Sequence, residues 1–406
     1  MAVRSPQLYE SLRNFCLAAF SLLQAEVDAG AEIPFAFEEH DSEGRTTFYE
    51  FRPLLVSFVE SRAARIGELA DTRLALARLE AEPAAAIFAR THAGARVAEE
   101  QALLRTVLLP LLSDTAESCG GFDWEDTAFE RHYATFERAL YGSELTFVAL
   151  APLVGLSTAT RVDLGGGITV RMAATGEVSR CWPEAGNLLP DGFGREPDRL
   201  CVLELERTLE KGGAAPPESA AELADALTAL RLALGGSIAQ GPVVFERLDW
   251  RPYGIRPAVP IAAAVPPGAP SRLDAFRARL AHDLRGRIAR ADPDPELADA
   301  LDRWELSLFQ DEPFRSEQLR TALEALLGAG DGLWAATLRA AVLVAESGRE
   351  RAQKLAELRS ENAAAAVREA LVETLVYGDR VELIEAVDET LLGLRPRPAV
   401  ELAAVG

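Results

Sequence analysis

An arginine and a histidine five residues apart, Arg277 and His282, form the pair whose types and spacing best suit catalysis. A histidine titrates near neutral pH and can move a proton, and an arginine about one helical turn away can hold a phosphate, as in metal-independent ribonucleases. Both residues lie in an arginine-rich stretch, 272–290, where such a pair also arises by chance. The alternative is a solvated helix face whose arginines pair with Asp274 and Asp283.

Two other sets of residues could bind a ligand, but each also has an ordinary structural explanation. The triplet Gly165–Gly167 resembles a phosphate-binding loop, but no Lys-Ser/Thr follows it and the next residues are strand-like. Glycines supply the positive φ angles of a tight turn, so the triplet predicts a hairpin. Glu204 and Glu206 share one side of a strand, which is either a ligand surface or, as we expect, a solvated strand face.

His132 follows Glu125 and Asp126, and a carboxylate–histidine pair can do acid–base work. The sequence shows no nucleophile or metal partner beside it, which favours an ordinary helix-surface residue. The cysteines are far apart and form no C-x-x-C pair, which predicts buried, reduced thiols without a metal or other cofactor. They are Cys16, Cys119, Cys181 and Cys201.

Length and charge limit the classes of protein that fit this chain. With 406 residues, 49% hydrophobic, two or three globular domains are expected. The net charge of −21 repels phosphate backbones, so nucleic-acid binding would need the local arginine-rich helix 272–290. The N-terminus has no signal-peptide pattern and no apolar run approaches the ~20 residues that span a bilayer, which predicts a cytoplasmic protein without membrane contact.

Hydrophobic periodicity predicts an α+β, predominantly α-helical fold in three regions. Residues 1–143 form a helical domain with a short aromatic hairpin between 33 and 51. Residues 144–262 form a β-rich middle domain with strands near 145–150, 161–164, 168–171, 200–206 and 243–248 and a helix at 219–234. Residues 263–406 form a helical bundle after a Pro-rich linker or edge segment at 252–270.

In the predicted bundle, Asp294 caps a helix that starts at Pro295, and the later helices span 313–327, 332–345, 348–376 and 379–394. The tryptophans are predicted to anchor the cores. They are Trp124, Trp182, Trp250, Trp304 and Trp334.

Several stretches of this bundle match a known pattern. They are Leu301-Asp302-Arg303-Trp304-Glu305-Leu306, the helix from Leu319 to Leu327, Leu338-Arg339-Ala340-Ala341-Val342-Leu343, and Leu375-Val376-Tyr377-Gly378. Through them, region 294–395 resembles the helical HEPN domain, in particular its Apea-like branch. Residues 150–156 and the following hairpin resemble the β-rich region that often precedes that domain.

The resemblance implies a helical bundle, often dimeric, from bacterial defence and toxin systems. Active members cut RNA with an arginine and a histidine in an R-x4-6-H motif, which ends in Val-His-Gly in the Apea-like branch. Here Val372 stands at the arginine position and Tyr377 at the histidine position. A tyrosine, with a pKa of about 10, is a poor proton shuttle at neutral pH, so the implied ribonuclease motif is degenerate.

These observations favour a non-catalytic protein-binding or scaffolding component, of a bacterial defence or stress system, with a protein partner or a second copy of the chain. The alternative is a metal-independent HEPN-type ribonuclease that uses Arg277 and His282 or an unrecognised pair.

Overall fold

The computed structural model confirms the predicted fold class, α+β and predominantly helical. It describes residues 4–40, 48–93, 99–173, 177–182, 185–190, 193, 200–210, 216–249, 251–259, 270–291, 293–361 and 363–398.

The N-terminal region is a set of helices around an aromatic core. In that core, the ring of Tyr9 packs edge to face against Phe129 and Tyr133, and the rings of Phe129 and Tyr133 are tilted relative to each other. Edge-to-face geometry is favourable because the positive edge of one ring faces the negative face of the other. The predicted hairpin is present, although its turn, 41–47, lies outside the described residues. The elements are α1 (Pro6–Asp28), β1 (Phe35–His40), β2 (Phe48–Pro53), α2 (Leu55–Glu60), α3 (Ala63–Gly67), α4 (Ala70–Glu80), α5 (Pro83–Ala93), α6 (Glu99–Leu103), a π turn (Leu104–Leu108), α7 (Leu109–Cys119) and α8 (Asp126–Tyr141).

The middle region is built on an antiparallel sheet, for which seven strands are described, in the order β10-β9-β3-β7-β6-β5 with β8 paired to the end of β3. One face of the sheet packs on helix α11, and part of the other face is covered around Trp182 and Phe245. The elements are β3 (Glu144–Val154), β4 (Leu156–Ser157), β5 (Val162–Asp163), β6 (Ile168–Met172), α9 (Glu177–Cys181), α10 (Ala185–Leu188), β7 (Cys201–Glu210), α11 (Ser219–Leu234), β8 (Ala239–Gln240), β9 (Val243–Leu248) and β10 (Arg251–Pro257).

The glycine triplet forms the turn between β5 and β6, as predicted. Gly165, Gly166 and Gly167 have φ angles of 79°, 53° and 67°, which side chains with a Cβ rarely adopt. The Pro-rich segment begins as strand β10, at the edge of the sheet, where a proline without an N–H does little harm. Its continuation at 260–269 lies outside the described residues, as does the predicted domain boundary at 262.

The prediction of a solvated face for Glu204 is wrong. Its side chain is buried in the middle of β7, where it accepts hydrogen bonds from Arg161 and from Arg171. The two guanidinium groups neutralise the carboxylate, so the alternation of leucine and glutamate does not mark a solvent-facing side there. Glu206, two residues further on, is exposed as predicted.

The C-terminal region is a helical bundle that continues into the middle region. Helix α12 packs along α11, so the sheet and the bundle share a boundary of two helices. Asp294 caps α13 through the amides of Glu296 and Leu297, as predicted. The elements are β11 (Ser271–Arg272, parallel to β4), α12 (Ala275–Ala291), α13 (Pro295–Ser307), α14 (Phe314–Leu327), α15 (Gly332–Val344), α16 (Gly348–Leu358), α17 (Ala364–Tyr377) and α18 (Arg380–Leu391).

Residues 348–376, predicted as one helix, form two. Helix α16 ends at Leu358 and α17 begins at Ala364. Leu358 is the buried residue of α16, which therefore lies on the surface, whereas α17 packs against α12, α13, α14 and α15. One straight helix cannot lie on the surface and also cross the bundle, so the chain turns between α16 and α17.

No individual helix among the described residues has both the length and the apolar character needed to cross a membrane, although α14 and α15, which meet at 76°, reach that length together.

Burial of the thiols leads to a testable prediction. Cys16 and Cys201 are buried as predicted, whereas Cys119 and Cys181 are only half-buried, which corrects the prediction for those two. Burial raises the pKa of Cys201 to about 11 and that of Cys16 further. Because the thiolate is the reactive form, we expect a disulfide-exchange reagent at pH 8 to react with Cys119 and Cys181 before Cys16 and Cys201. Burial also raises the pKa of Cys119, so this thiol should react more slowly than a free one. All four cysteines should react in denaturant, and Cys119→Ser should remove one of the two thiols that react first. Fast reaction of Cys16 in the native protein would contradict the buried position.

Candidate functional site

Arg277 and His282 do not form a site together. Arg277 is used at the start of α12, where its Nη1 donates to the carbonyl oxygen of Arg272 at 3.1 Å and pairs with Asp274 at 3.3 Å. This is the local pairing that the solvated-face alternative predicted. His282 is exposed and lies against the turn of the β5–β6 hairpin.

The arginine nearest to His282 at that turn is Arg285. A Cβ placed on Gly165 would lie 2.8 Å from His282 Cε1 and 3.3 Å from Arg285 Nη2, so both side chains reach the same glycine. Arg285 Nε donates to the carbonyl oxygen of Leu164 at 2.8 Å, which holds its guanidinium there. The sequence missed this pair because it depends on a hairpin more than a hundred residues away. We name His282, Arg285 and Gly165–Gly167 the hairpin site.

The two residues that the resemblance placed at a ribonuclease motif, Val372 and Tyr377, lie in packing positions. Val372 and Tyr377 are half-buried against the core of the bundle. Arg287 of α12 donates to the carbonyl oxygens of Leu375, at 3.3 Å, and Val376, at 2.6 Å. A cation at a helix C-terminus satisfies exposed carbonyls and offsets the negative end of the helix dipole. The guanidinium group of Arg287 therefore caps the C-terminal end of α17.

His132 has a nucleophile beside it that the sequence did not reveal. Its Nε2 lies 2.7 Å from Oγ of Ser118 on α7, while burial lowers the pKa of His132 and keeps its ring neutral at pH 7. An acyl-transfer site also needs amide donors for an oxyanion. The amides of Gly120 and Gly121 are already bonded to carbonyls of α7, and the hydrogen bond between Ser118 and His132 joins α7 to α8.

Trp334 corrects the prediction that the tryptophans anchor the cores. Trp182 and Trp304 are buried as predicted and Trp124 is half-buried, whereas Trp334 is 56% exposed at the start of α15. The guanidinium of Arg359 lies 5.5 Å from the ring centroid of Trp334, within cation–π range. Trp250 lies outside the described residues.

A polar cleft of about 550 Å³ opens where helix α8 meets the end of the sheet. We name it the junction cleft. Its walls combine hydroxyl groups, two guanidinium groups and two carboxylates on α8, β3, β7 and β9. The lining residues are Thr135, Arg138, Ala139, Gly142, Ser143, Glu144, Thr146, Thr208, Arg247 and Asp249.

Among the residues that the structure describes, no group of three or more His, Cys, Asp or Glu side chains is arranged to hold a metal ion. Comparison with protein-family models, with curated proteins and with solved structures finds no match to this chain.

Proposed function

We propose that this chain is a non-catalytic, cytoplasmic protein-binding or scaffolding component, built on a HEPN-like bundle and acting in a bacterial defence or stress system. The observation that carries the proposal is the set of large apolar side chains that the C-terminal bundle leaves exposed. They are Phe276, Phe314, Trp334, Val381, Leu391, Leu392 and Leu394.

Two parts of this set have the composition of binding hot spots. Trp334 carries a stacked arginine, and tryptophan and arginine are the residues that most often dominate binding energy. At the end of α18, Leu391, Leu392 and Leu394 expose apolar surface within four residues of sequence. Such surface is favourably removed from water by a partner protein or by a second copy of the chain. Tyr377 in place of the family's histidine supports a role without catalysis.

Substitution of exposed apolar residues tests this proposal. Leu392→Asp and Trp334→Ala are expected to abolish recovery of a stoichiometric partner from the native host, or to convert a dimer to a monomer in sedimentation. A matched control is Leu74→Asp, because Leu74 is 63% exposed and Leu392 75%, but Leu74 lies on α4 of the N-terminal region. A wild-type protein that is monomeric and recovers no stoichiometric partner would contradict the proposal.

The alternative, a metal-independent ribonuclease, keeps one observation in its favour. His282 is exposed and shares the hairpin site with Arg285, so an imidazole and a guanidinium are both available there. Arg207 also donates to the carbonyl oxygen of Gly166, which places another cation beside the turn.

We expect total RNA to remain intact after incubation with the protein, with and without magnesium. Cleavage that is lost in His282→Ala would overturn the non-catalytic proposal. Arg285→Ala and Arg277→Ala then distinguish the two candidate partners, since only Arg285 reaches the glycine turn beside His282.

A further inference from the structure

We propose that the junction cleft binds a small hydroxylated molecule that carries a phosphate group, of the sugar-phosphate class. The proposal rests on the side chains that line the cleft and is independent of the protein-binding proposal above.

The floor of the cleft is one face of the sheet. Thr146 pairs with Thr208, and Val148, two residues further along β3, pairs with Arg247. Residues directly opposite in antiparallel strands, and residues two apart along a strand, point to the same face. Thr146, Thr208 and Arg247 therefore form one polar surface, on the side of the sheet away from α11, where the apolar cover around Phe245 ends.

The two arginines of the cleft have no carboxylate partner within the described residues. Arg247 is half-buried, and its Nε is buried without any hydrogen-bond acceptor. Arg138 reaches the cleft from α8. Other arginines with little exposure are ion-paired, as Arg171 and Arg380 are, or donate to backbone carbonyls, as Arg287 does. The chain has a net charge of −21.

Glu144 and Asp249 also line the cleft, and Asp249 Oδ1 accepts a hydrogen bond from the amide of Thr146. Since neither arginine pairs with these carboxylates, both guanidinium groups are available to an anionic group of a ligand.

The remaining lining groups define the rest of the ligand. Guanidinium groups bind phosphate through parallel N–H bonds, which accounts for the anionic end. Ser143 and the three threonines donate and accept, and the carboxylate of Glu144 accepts hydrogen bonds from ligand hydroxyls. Ala139 offers the one apolar side chain among the lining residues named above, and none of them carries an aromatic ring on which a nucleobase would stack. The volume of about 550 Å³ exceeds what a sugar phosphate fills and leaves room for bridging waters.

Titration calorimetry on the full chain tests the assignment, with ribose 5-phosphate and glucose 6-phosphate as probes and with ribose and inorganic phosphate as controls. We expect at least one sugar phosphate to bind more tightly than inorganic phosphate, and ribose to give no signal. Arg138→Gln and Arg247→Gln should each weaken that binding by about 10-fold or more, because each removes a charge-assisted bond to phosphate.

Arg138 is exposed, so its substitution leaves the fold intact even where that of Arg247 does not. The matched control is Arg303→Gln, which removes a half-buried arginine of an i,i+4 pair on α13, far along the chain from the cleft. Three results would overturn the proposal: no heat from either sugar phosphate at about 10 mM, ten times a millimolar Kd; equal binding of inorganic phosphate; or binding that Arg138→Gln leaves unchanged.

Discussion

Arg231→Met is expected to lower the free energy of unfolding by about 3–5 kcal/mol, because it leaves Glu305 as an unpaired charge in the core. Arg231 on α11 is 2% exposed and Glu305 on α13 is 3% exposed, and Nη1 of Arg231 lies 3.0 Å from the carboxylate. Nε of Arg231 donates to the carbonyl oxygen of Ile238 at 2.9 Å, so the same substitution also removes that bond.

The double variant Arg231→Met/Glu305→Met gives the sharper test of this pair. Nη2 of Arg231 and Oε1 of Glu305 are buried without hydrogen-bond partners, so the pair does not recover the full cost of removing its charges from water. We therefore expect the double variant to be more stable than either single variant and close to the wild type. Urea unfolding followed by circular dichroism measures all three. A double variant as unstable as the sum of the two single variants would contradict a direct coupling between these residues.

Arg339→Met is expected to cost about 3 kcal/mol, because several parts of the bundle depend on one guanidinium group. Arg339 is 6% exposed, and Nη1 donates to the carbonyl oxygens of Leu327 at 3.0 Å and Gly328 at 2.9 Å. The same group pairs with Asp331 at 2.6 Å and with Asp388 at 2.7 Å, which ties the end of α14 to α15 and α18.

A second arginine serves the same helix end. Arg380 donates to the carbonyl oxygens of Ala325 and Leu326, each at 3.4 Å, so two arginines together donate to four consecutive carbonyls at the end of α14. The last of them, that of Gly328, also accepts from the amide of Asp331. The positive charges of the two arginines also offset the negative end of the helix dipole.

The loss in Arg339→Met is measured by urea unfolding, with two comparison variants. Arg339→Lys keeps the charge but not the planar fork, so we expect an intermediate loss. Arg303→Met removes a half-buried i,i+4 pair with Asp299 and a 3.4 Å hydrogen bond to Gln318, and should cost about 1 kcal/mol or less. Equal losses in Arg339→Met and Arg303→Met would show that the buried network contributes no more than a surface pair.

Local patterns were sufficient to predict several elements closely. Helix α11 has the predicted bounds, 219–234, because an apolar helical stripe ends at Gly235, whose φ of 66° suits glycine. The start of α13 follows from the cap and proline at Asp294–Pro295. The turn at Gly165–Gly167 follows from three adjacent glycines. Each of these features is set by residues that are close together in sequence, so it can be predicted without knowing any distant contact.

Where a prediction was wrong or a candidate pair was incomplete, the cause was a contact with an element distant in sequence. Glu204 is buried because Arg161 and Arg171 approach it from neighbouring parts of the sheet. The helix predicted at 348–376 breaks, without a proline or glycine at 359–362, because α16 lies on the surface and α17 crosses the bundle. Side chains that the sequence separates, such as Ser118 and His132, meet only when their helices pack.

By itself, the sequence determined the fold class and the position of a β-rich middle between helical regions. Those features depend on residue type and on periodicity along the chain. Only the tertiary structure decided that Arg285, and not Arg277, shares the glycine turn with His282, that Trp334 faces solvent, and that a cleft forms beside α8. The physical reason is that burial and pairing depend on which surfaces meet, and local periodicity does not specify the partner of each surface.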